Sequence, residues 1–134
     1  MKKIILLSLS LFLTSCSDTT TVDLTRCLSV PSDLVAWIEE WLTIDGWGEF
    51  TNVQAVKSTD FENVYFISWY LQWAWIEQNT YTATFASNSL ELWWWLVGSV
   101  DGSAKEFSVF NSFKQVTRLD DWSKESIACV KNVL

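Results

Sequence analysis

The residue types that most often carry out catalysis are scarce in this sequence of 134 residues. It contains no histidine, which excludes a Ser-His-Asp triad, a Cys-His pair and any zinc or haem site with histidine ligands. Its 16 aspartate and glutamate residues could supply the two facing carboxylates of a glycosidase, yet no spacing singles out a pair. Ser68 and Ser108 lie outside nucleophile motifs such as G-x-S-x-G. We therefore predict no catalytic residue, no metal site and no cofactor, with a small carboxylate-dependent hydrolase as an open alternative.

Tryptophan is the other residue type that could bind a ligand, and the chain has ten of them. Flat aromatic rings stack on the faces of sugar rings, so exposed tryptophans would indicate a carbohydrate-binding domain. In this interpretation the ligand-binding residues are Trp73, Trp75, Trp93 and Trp95, with Tyr70 as a neighbour. Packing in the core is the alternative, and it is the more common fate of large aromatic side chains.

The positions of the tryptophans also raise a question about the genetic code. Ten tryptophans stand against four glycines, although glycine averages roughly 7% of soluble proteins. Several tryptophans lie where a turn is expected, as in Asp45-Gly46-Trp47-Gly48 and Gln72-Trp73-Ala74-Trp75, and glycine favours turns whereas tryptophan does not. The codon UGA encodes tryptophan in one variant code and glycine in another. We hypothesise that most of these positions are glycine in the native protein; the alternative is that all ten tryptophans are genuine.

Hydrophobic periodicity predicts a helix at each end of the folded region. The first helix follows Pro31, with Ser32 or Asp33 as its cap, and should stop near residues 41–44. Its apolar residues recur at helical spacing and share one face: Leu34, Ile38, Trp41 and Leu42. The last helix is predicted over 123–133, with Ile127, Val130 and Leu134 on its inner face, and a short helix is predicted over 104–109.

Strand patterns fill the region between these helices. Alternating Thr, Val, Tyr, Phe and Ile predict strands near 50–57, 63–71, 80–85 and 91–100. In the third strand, threonines alternate with apolar residues, which indicates a half-buried strand with a threonine face. The predicted fold class is α+β, with an antiparallel sheet of about four strands and an N-terminal and a C-terminal helix in a single domain.

The amino terminus carries an export signal. Met1-Lys2-Lys3 precedes an uncharged run of about ten residues, whereas a membrane-spanning helix needs about 20. Leu13-Thr14-Ser15-Cys16 then resembles the lipobox of bacterial lipoprotein precursors. The resemblance implies that the chain is cut before Cys16 and that this cysteine carries a diacylglycerol and an amide-linked acyl chain, which together anchor it in a membrane. The alternative is an ordinary secretory signal cut nearby, with Cys16 as a spare thiol.

This resemblance divides the chain into a lipoprotein signal peptide (1–15), a flexible tether (16–26) and a single α+β domain (27–134). Ser17 stands where an aspartate would retain such a protein in the inner membrane, which favours the outer membrane in a cell that has one. Loss of Lys2 and Lys3 leaves seven basic and 16 acidic side chains, a net charge of −9. The acidic balance, with a pI near 4.4 for the whole chain, argues against nucleic acid as a partner.

Two cysteines remain once Cys16 is assigned to lipid. Cys27 and Cys129 lie near the two ends of the domain of an exported chain, so we predict a disulfide between them. Two buried free thiols are the alternative. A catalytic thiol is disfavoured, because neither cysteine belongs to a Cys-x-x-Cys pair and the chain has no histidine to activate it.

Three segments of the domain carry a second resemblance. They are Val64-Tyr65-Phe66-Ile67-Ser68, then Ala86-Ser87-Asn88-Ser89-Leu90, then Val100-Asp101-Gly102-Ser103-Ala104-Lys105-Glu106-Phe107-Ser108. With glycine read at the tryptophan positions, residues 31–109 are similar to a group of small bacterial secreted and lipid-anchored proteins. That group supports the fold and brings no activity with it.

These observations lead to one functional expectation and two alternatives. We expect an extracytoplasmic protein, lipid-anchored at the cell membrane or outer membrane, that acts as a non-enzymatic binding or structural module for an unspecified ligand or envelope partner. The alternatives are a carbohydrate-binding domain that uses exposed tryptophans and the small hydrolase described above.

Overall fold

Five antiparallel strands form one sheet in the computed structural model, which describes residues 23–43, 50–73, 76–91 and 95–132. The strands are β1 (Leu28–Ser29), β2 (Phe50–Lys57), β3 (Tyr65–Trp73), β4 (Ile76–Ser87) and β5 (Val97–Ser99). Each strand pairs with the next one along the chain. In the central ladder between β3 and β4, Ile67 lies opposite Phe85 and Ser68 opposite Thr84.

Within the described residues, three α-helices accompany the sheet: α1 (Ser32–Glu40), α2 (Gly102–Glu106) and α3 (Asp121–Asn132). Asp101 caps α2, because its Oδ1 accepts the amide of Ala104 at 2.8 Å. The predicted capping of α1 by Ser32 or Asp33 is wrong, since Pro31 occupies the cap position and no side chain bonds there. Proline suits this start because its fixed φ is already near the helical value.

On one face of the sheet, α1 covers the apolar core. Leu34 and Ile38 are fully buried. They cluster with buried side chains of the central strands: Ala55, Ile67, Trp69, Leu71, Ala83 and Phe85. The rings of Trp69 and Phe85 stack with their centroids 4.7 Å apart. Removal of this apolar area from water is the main stabilising contribution on this face.

On the opposite face, buried hydroxyl groups form part of the contact between α3 and the sheet. The Ser126 hydroxyl lies 2.8 Å from that of Ser68, which lies 2.8 Å from that of Thr84. All three side chains are fully buried. The predicted threonine face of the third strand is therefore buried at Thr84 rather than half-exposed, because α3 covers it.

The edges of the sheet differ from the sequence-based expectation. β1 adds a fifth strand that was not predicted, because two exposed residues carry no hydrophobic alternation. The strand predicted over 91–100 is also shorter, since Trp95 and Leu96 lie outside β5. The sheet thus has five strands where about four were predicted, and the α+β class, the antiparallel sheet and the terminal helices are confirmed.

A disulfide between Cys27 and Cys129 joins the start of the sheet to α3, as the sequence predicts. Arg26 reinforces this junction: its guanidinium pairs with Glu125 at 3.1 Å and lies 3.9 Å from the ring centre of Trp122. Leu24–Arg26, at the end of the predicted tether, form a 3-10 turn. Residues 24–26 are therefore held to the domain.

The signal peptide, Cys16 and residues 17–22 lie outside the described residues. Among the helices within the described ranges, none combines the length and the apolar character that crossing a membrane requires.

Candidate functional site

A groove of about 1060 Å³ lies between the end of α1, the segment before β5 and residues 109–115. We call it the aromatic groove. Its aromatic lining comes from Trp37, Trp41, Trp95 and Phe110. Its polar lining includes several side-chain amides: Asn63, Asn88, Asn111 and Gln115.

The helix α1 places two of these rings one turn apart. Trp37 is half-buried and packs against the apolar core, while Trp41 is 47% exposed. Their ring centroids are 6.2 Å apart. Trp41 was predicted on the buried face with Leu34 and Ile38, and this prediction is wrong. Trp41 is the C-cap residue that follows Glu40, and at this end of the helix its side chain is exposed.

The second wall of the groove contains Trp95, which precedes β5. Its ring centroid lies 5.6 Å from that of Trp37, and its Nε1 donates to the carbonyl of Glu91 at 3.0 Å. Asn88 also holds this segment in place, because its Oδ1 accepts a hydrogen bond from the amide of Leu96 at 2.8 Å. These bonds hold Trp95 at the groove without a regular secondary-structure element.

The third wall is an irregular segment that runs beside β5. Ser99 donates its amide to the carbonyl of Asn111 at 3.0 Å and accepts the amide of Phe113 at 3.1 Å. The close approach requires glycine at position 98, since a Cβ there would lie 2.8 Å from backbone atoms of Phe113. The segment brings Phe110 to within 5.7 Å of Trp37, measured between ring centroids.

The combination of aromatic rings and amide groups suits a ligand with both apolar faces and hydroxyl groups. Aromatic rings offer flat apolar surfaces, while amide groups both donate and accept hydrogen bonds. The groove is also open to solvent, because Val109 and Leu96 on its rim are 57% and 65% exposed. Pockets that bind small molecules have the same mixture of apolar walls and a few polar groups.

The described lining of the groove contains a single acidic side chain and therefore no pair of carboxylates for catalysis. Glu62 is the one carboxylate among the described residues that line it, and Lys114 is the one cation. Glycoside hydrolysis needs two carboxyl groups that face each other across the scissile bond. In the part of the chain that the structure describes, acidic and cysteine side chains also form no cluster suited to a metal ion. The hydrolase alternative therefore gains no support here.

The structure describes the side chains of only some of the predicted ligand-binding residues. Trp95 lines the groove, whereas Trp75, Trp93 and the side chain of Trp73 lie outside the described part of the structure. Tyr70, expected beside them, is 4% exposed. Its predicted role as an exposed neighbour is wrong, because its ring is buried in the domain.

Sequence reasoning missed Trp37, Trp41 and Phe110 as groove residues. The spacing of Trp37 and Trp41 was a usable signal, since residues four apart lie on the same side of a helix. Phe110 gave no comparable signal, because it reaches the groove through long-range pairing of residues 111–113 with β5.

No protein-family profile matches the chain, and comparisons with curated proteins and with solved structures found no similar protein.

Proposed function

We propose that the protein is a lipid-anchored, non-enzymatic binding module of the cell envelope and that the aromatic groove is its ligand site. The observation that carries the binding role is the cluster in which Trp37 contacts Trp41, Trp95 and Phe110 at ring-centroid distances of 5.6 to 6.2 Å. Trp41 is exposed and the other three rings are half-buried against the core, and aromatic surface left open to solvent in this way marks interaction sites in soluble domains. The export signal and the lipobox at residues 13–16 support the location.

The ligand class that fits the groove best is a glycan. Trp41 offers an exposed ring for stacking on a sugar face, and Asn111 and Gln115 lie where they would meet hydroxyl groups. Glycans are also abundant at the cell surface, where the anchor would hold the domain. The assignment of a glycan as the ligand rests on the side chains of the groove. If no glycan binds, the proposed binding role would concern a ligand of another class.

A glycan panel tests the proposal. The domain is titrated with soluble glycans while tryptophan fluorescence and heat of binding are recorded, first for the wild type and then for Trp41→Ala. We expect at least one glycan to bind, and we expect Trp41→Ala to weaken it about tenfold, because the loss of a stacked ring removes about 1–2 kcal/mol.

Trp122→Phe is the matched control. Trp122 lies under Arg26 and donates its Nε1 to Asp60 at 2.7 Å, and it does not line the groove. The control should lower the fluorescence signal without changing affinity. Silence across the whole panel by calorimetry, or equal losses in both variants, would contradict glycan binding in the groove.

A further inference from the structure

A second cavity of about 320 Å³ lies beside the aromatic groove and has a different chemistry. Lys105 of α2 and Arg118 contribute positive charge to its lining. Ser112 belongs to the lining of both cavities, so the two sites adjoin. The remaining polar lining comes from Ser99, Thr117 and the backbone of Gly102. We call this the basic cavity.

The basic cavity is positively charged, whereas the protein as a whole carries a net negative charge. The mature chain carries −9, with only seven basic side chains, yet two of these seven line this one small cavity. None of its described lining residues is acidic. A local excess of positive charge on an acidic surface concentrates anions where the rest of the molecule repels them.

Neither cation forms a salt bridge with another residue that the structure describes. The ion pairs within the described ranges join Arg26 to Glu125 and Lys124 to Asp121. Lys105 does feel the charge of Asp101. Asp101 does not line the cavity, however, and its Oδ1 is occupied by the amide of Ala104. Lys105 and Arg118 are both exposed and can therefore reach a ligand.

Hydroxyl groups complete the donor set. The Thr117 Oγ1 accepts the amide of Leu119 at 3.2 Å, which leaves its own proton free to be donated. Ser112 supplies a second hydroxyl. The Ser99 hydroxyl instead donates to the carbonyl of Phe110 at 3.2 Å and adds no donor for a ligand.

We propose that the basic cavity binds an oxyanion, a phosphate or carboxylate group, with Arg118 and Lys105 as the charged ligands and Thr117 and Ser112 as hydroxyl donors. Arginine forms paired hydrogen bonds to such groups, and lysine neutralises their charge. The cavity is larger than a bare phosphate ion requires, so it fits an anion carried on a small sugar. Its lining contains no tryptophan, so this site does not depend on the identity of the ten tryptophans or on glycan binding in the groove.

Binding of three anions by calorimetry at low salt tests the site: inorganic phosphate, a hexose 6-phosphate and a hexuronate, with the neutral hexose as the comparison. Free phosphate and the sugar-borne anions separate the two sources of the oxyanion. We expect the hexose 6-phosphate or the hexuronate to bind most tightly and the neutral hexose not to bind. Arg118→Gln and Lys105→Gln should each weaken binding about tenfold or more, the effect of losing one charge-assisted hydrogen bond.

Two controls separate a local site from a general charge effect. Lys131→Gln removes the same charge from α3, outside the cavity lining, and should leave affinity unchanged. Gly102→Glu should abolish binding, whereas Gly102→Ala should retain it, because a Cβ at position 102 meets no atom within 4 Å and the added carboxylate alone opposes the ligand. Absence of binding by all three anions, or an equal loss in Lys131→Gln, would overturn the proposal.

Discussion

Trp69 is the tryptophan whose identity the packing constrains most strongly. Its side chain is fully buried and stacks on Phe85 within β3 and β4, far from any turn. Glycine there would leave a large cavity, and truncation of a buried tryptophan costs about 3–5 kcal/mol. We predict that peptide mass mapping of the protein from its native source finds tryptophan at position 69.

The same mass map decides between the two hypotheses for the turn positions. Translation of UGA as glycine predicts that glycine replaces Trp47 and Trp75. It makes the same prediction for Trp41 and Trp95 of the groove. Trp41, at the end of α1, has φ −99° and so does not need glycine for its backbone. Glycine at both 41 and 95 would contradict the stacking role of the groove, whereas tryptophan at both would contradict the codon hypothesis there.

Asp101 links the α2 cap to the pH dependence of stability. Burial raises the pKa of Asp101 above its ordinary value, against the lowering effect of the hydrogen bonds from Ala104 and Thr84. A carboxyl whose pKa is higher in the folded state binds more protons when folded. Its contribution is therefore complete below the unfolded pKa and is lost as the pH rises through the folded pKa.

We predict that Asp101→Asn removes this pH-dependent loss of stability. The asparagine side chain still accepts the Ala104 amide, so the cap is retained without a buried charge. Asp101→Ala should also lose this pH dependence, because it lacks the carboxyl, and it should be less stable than Asp101→Asn by about 1 kcal/mol because the cap is lost. Thermal unfolding measured from pH 4 to pH 8 checks both variants. An unchanged pH profile for Asp101→Asn would show that Asp101 does not carry the effect.

At the scale of the elements, β5 and the segment beside it form a junction that tolerates no side chain at position 98. We predict that Gly98→Ala lowers stability by about 1–3 kcal/mol, since its Cβ would lie 2.8 Å from backbone atoms of Phe113 and the segment would have to shift. Gly102→Ala is the matched control, because its Cβ enters open space. Chemical denaturation of the two variants gives the comparison, and equal midpoints would contradict the prediction.

The elements also show what could be predicted from the sequence. Helices α1 and α3 and the central strands follow from local periodicity. The cysteine pair follows from the predicted export of the chain and from the assignment of Cys16 to lipid. The groove depends instead on where residues 109–115 run beside β5, and that position is fixed by backbone pairing between distant segments. Such pairing has no local pattern, so Phe110 and the basic cavity could not be found before the fold was known.

At the scale of the whole molecule, the disulfide closes almost the entire domain. Cys27 and Cys129 are 102 residues apart in sequence, and the chain-entropy model gives about 4.7 kcal/mol for a loop of this size as an upper figure. We predict that Cys27→Ser combined with Cys129→Ser lowers the free energy of unfolding by about 2–4 kcal/mol. Denaturation of the wild type with and without reductant provides the control, and identical midpoints in all three cases would contradict a structural role.

The lipid anchor is the prediction with the widest consequence, because it fixes where the groove and the basic cavity operate. Residues 17–22 connect Cys16 to the described domain, and six residues reach at most about 20 Å. A mature chain cut before Cys16 would carry a net charge of −9, which an anionic membrane surface repels. Both effects favour a domain held near the membrane and not lying on it, so its binding sites would face envelope polymers.

Expression in a bacterial host with lipoprotein-processing enzymes tests the anchor. We expect the wild type in the membrane fraction, with a mature N-terminal peptide that begins at Cys16 and carries acyl chains. Cys16→Ser should lose the acyl mass and leave the membrane fraction or keep its signal peptide, because the acylated thiol is missing. Cys27→Ser is the control and should remain acylated. A mature protein that starts at another residue, or acylation that survives Cys16→Ser, would contradict an anchor at Cys16. The proposed location of both binding sites would then lose its support.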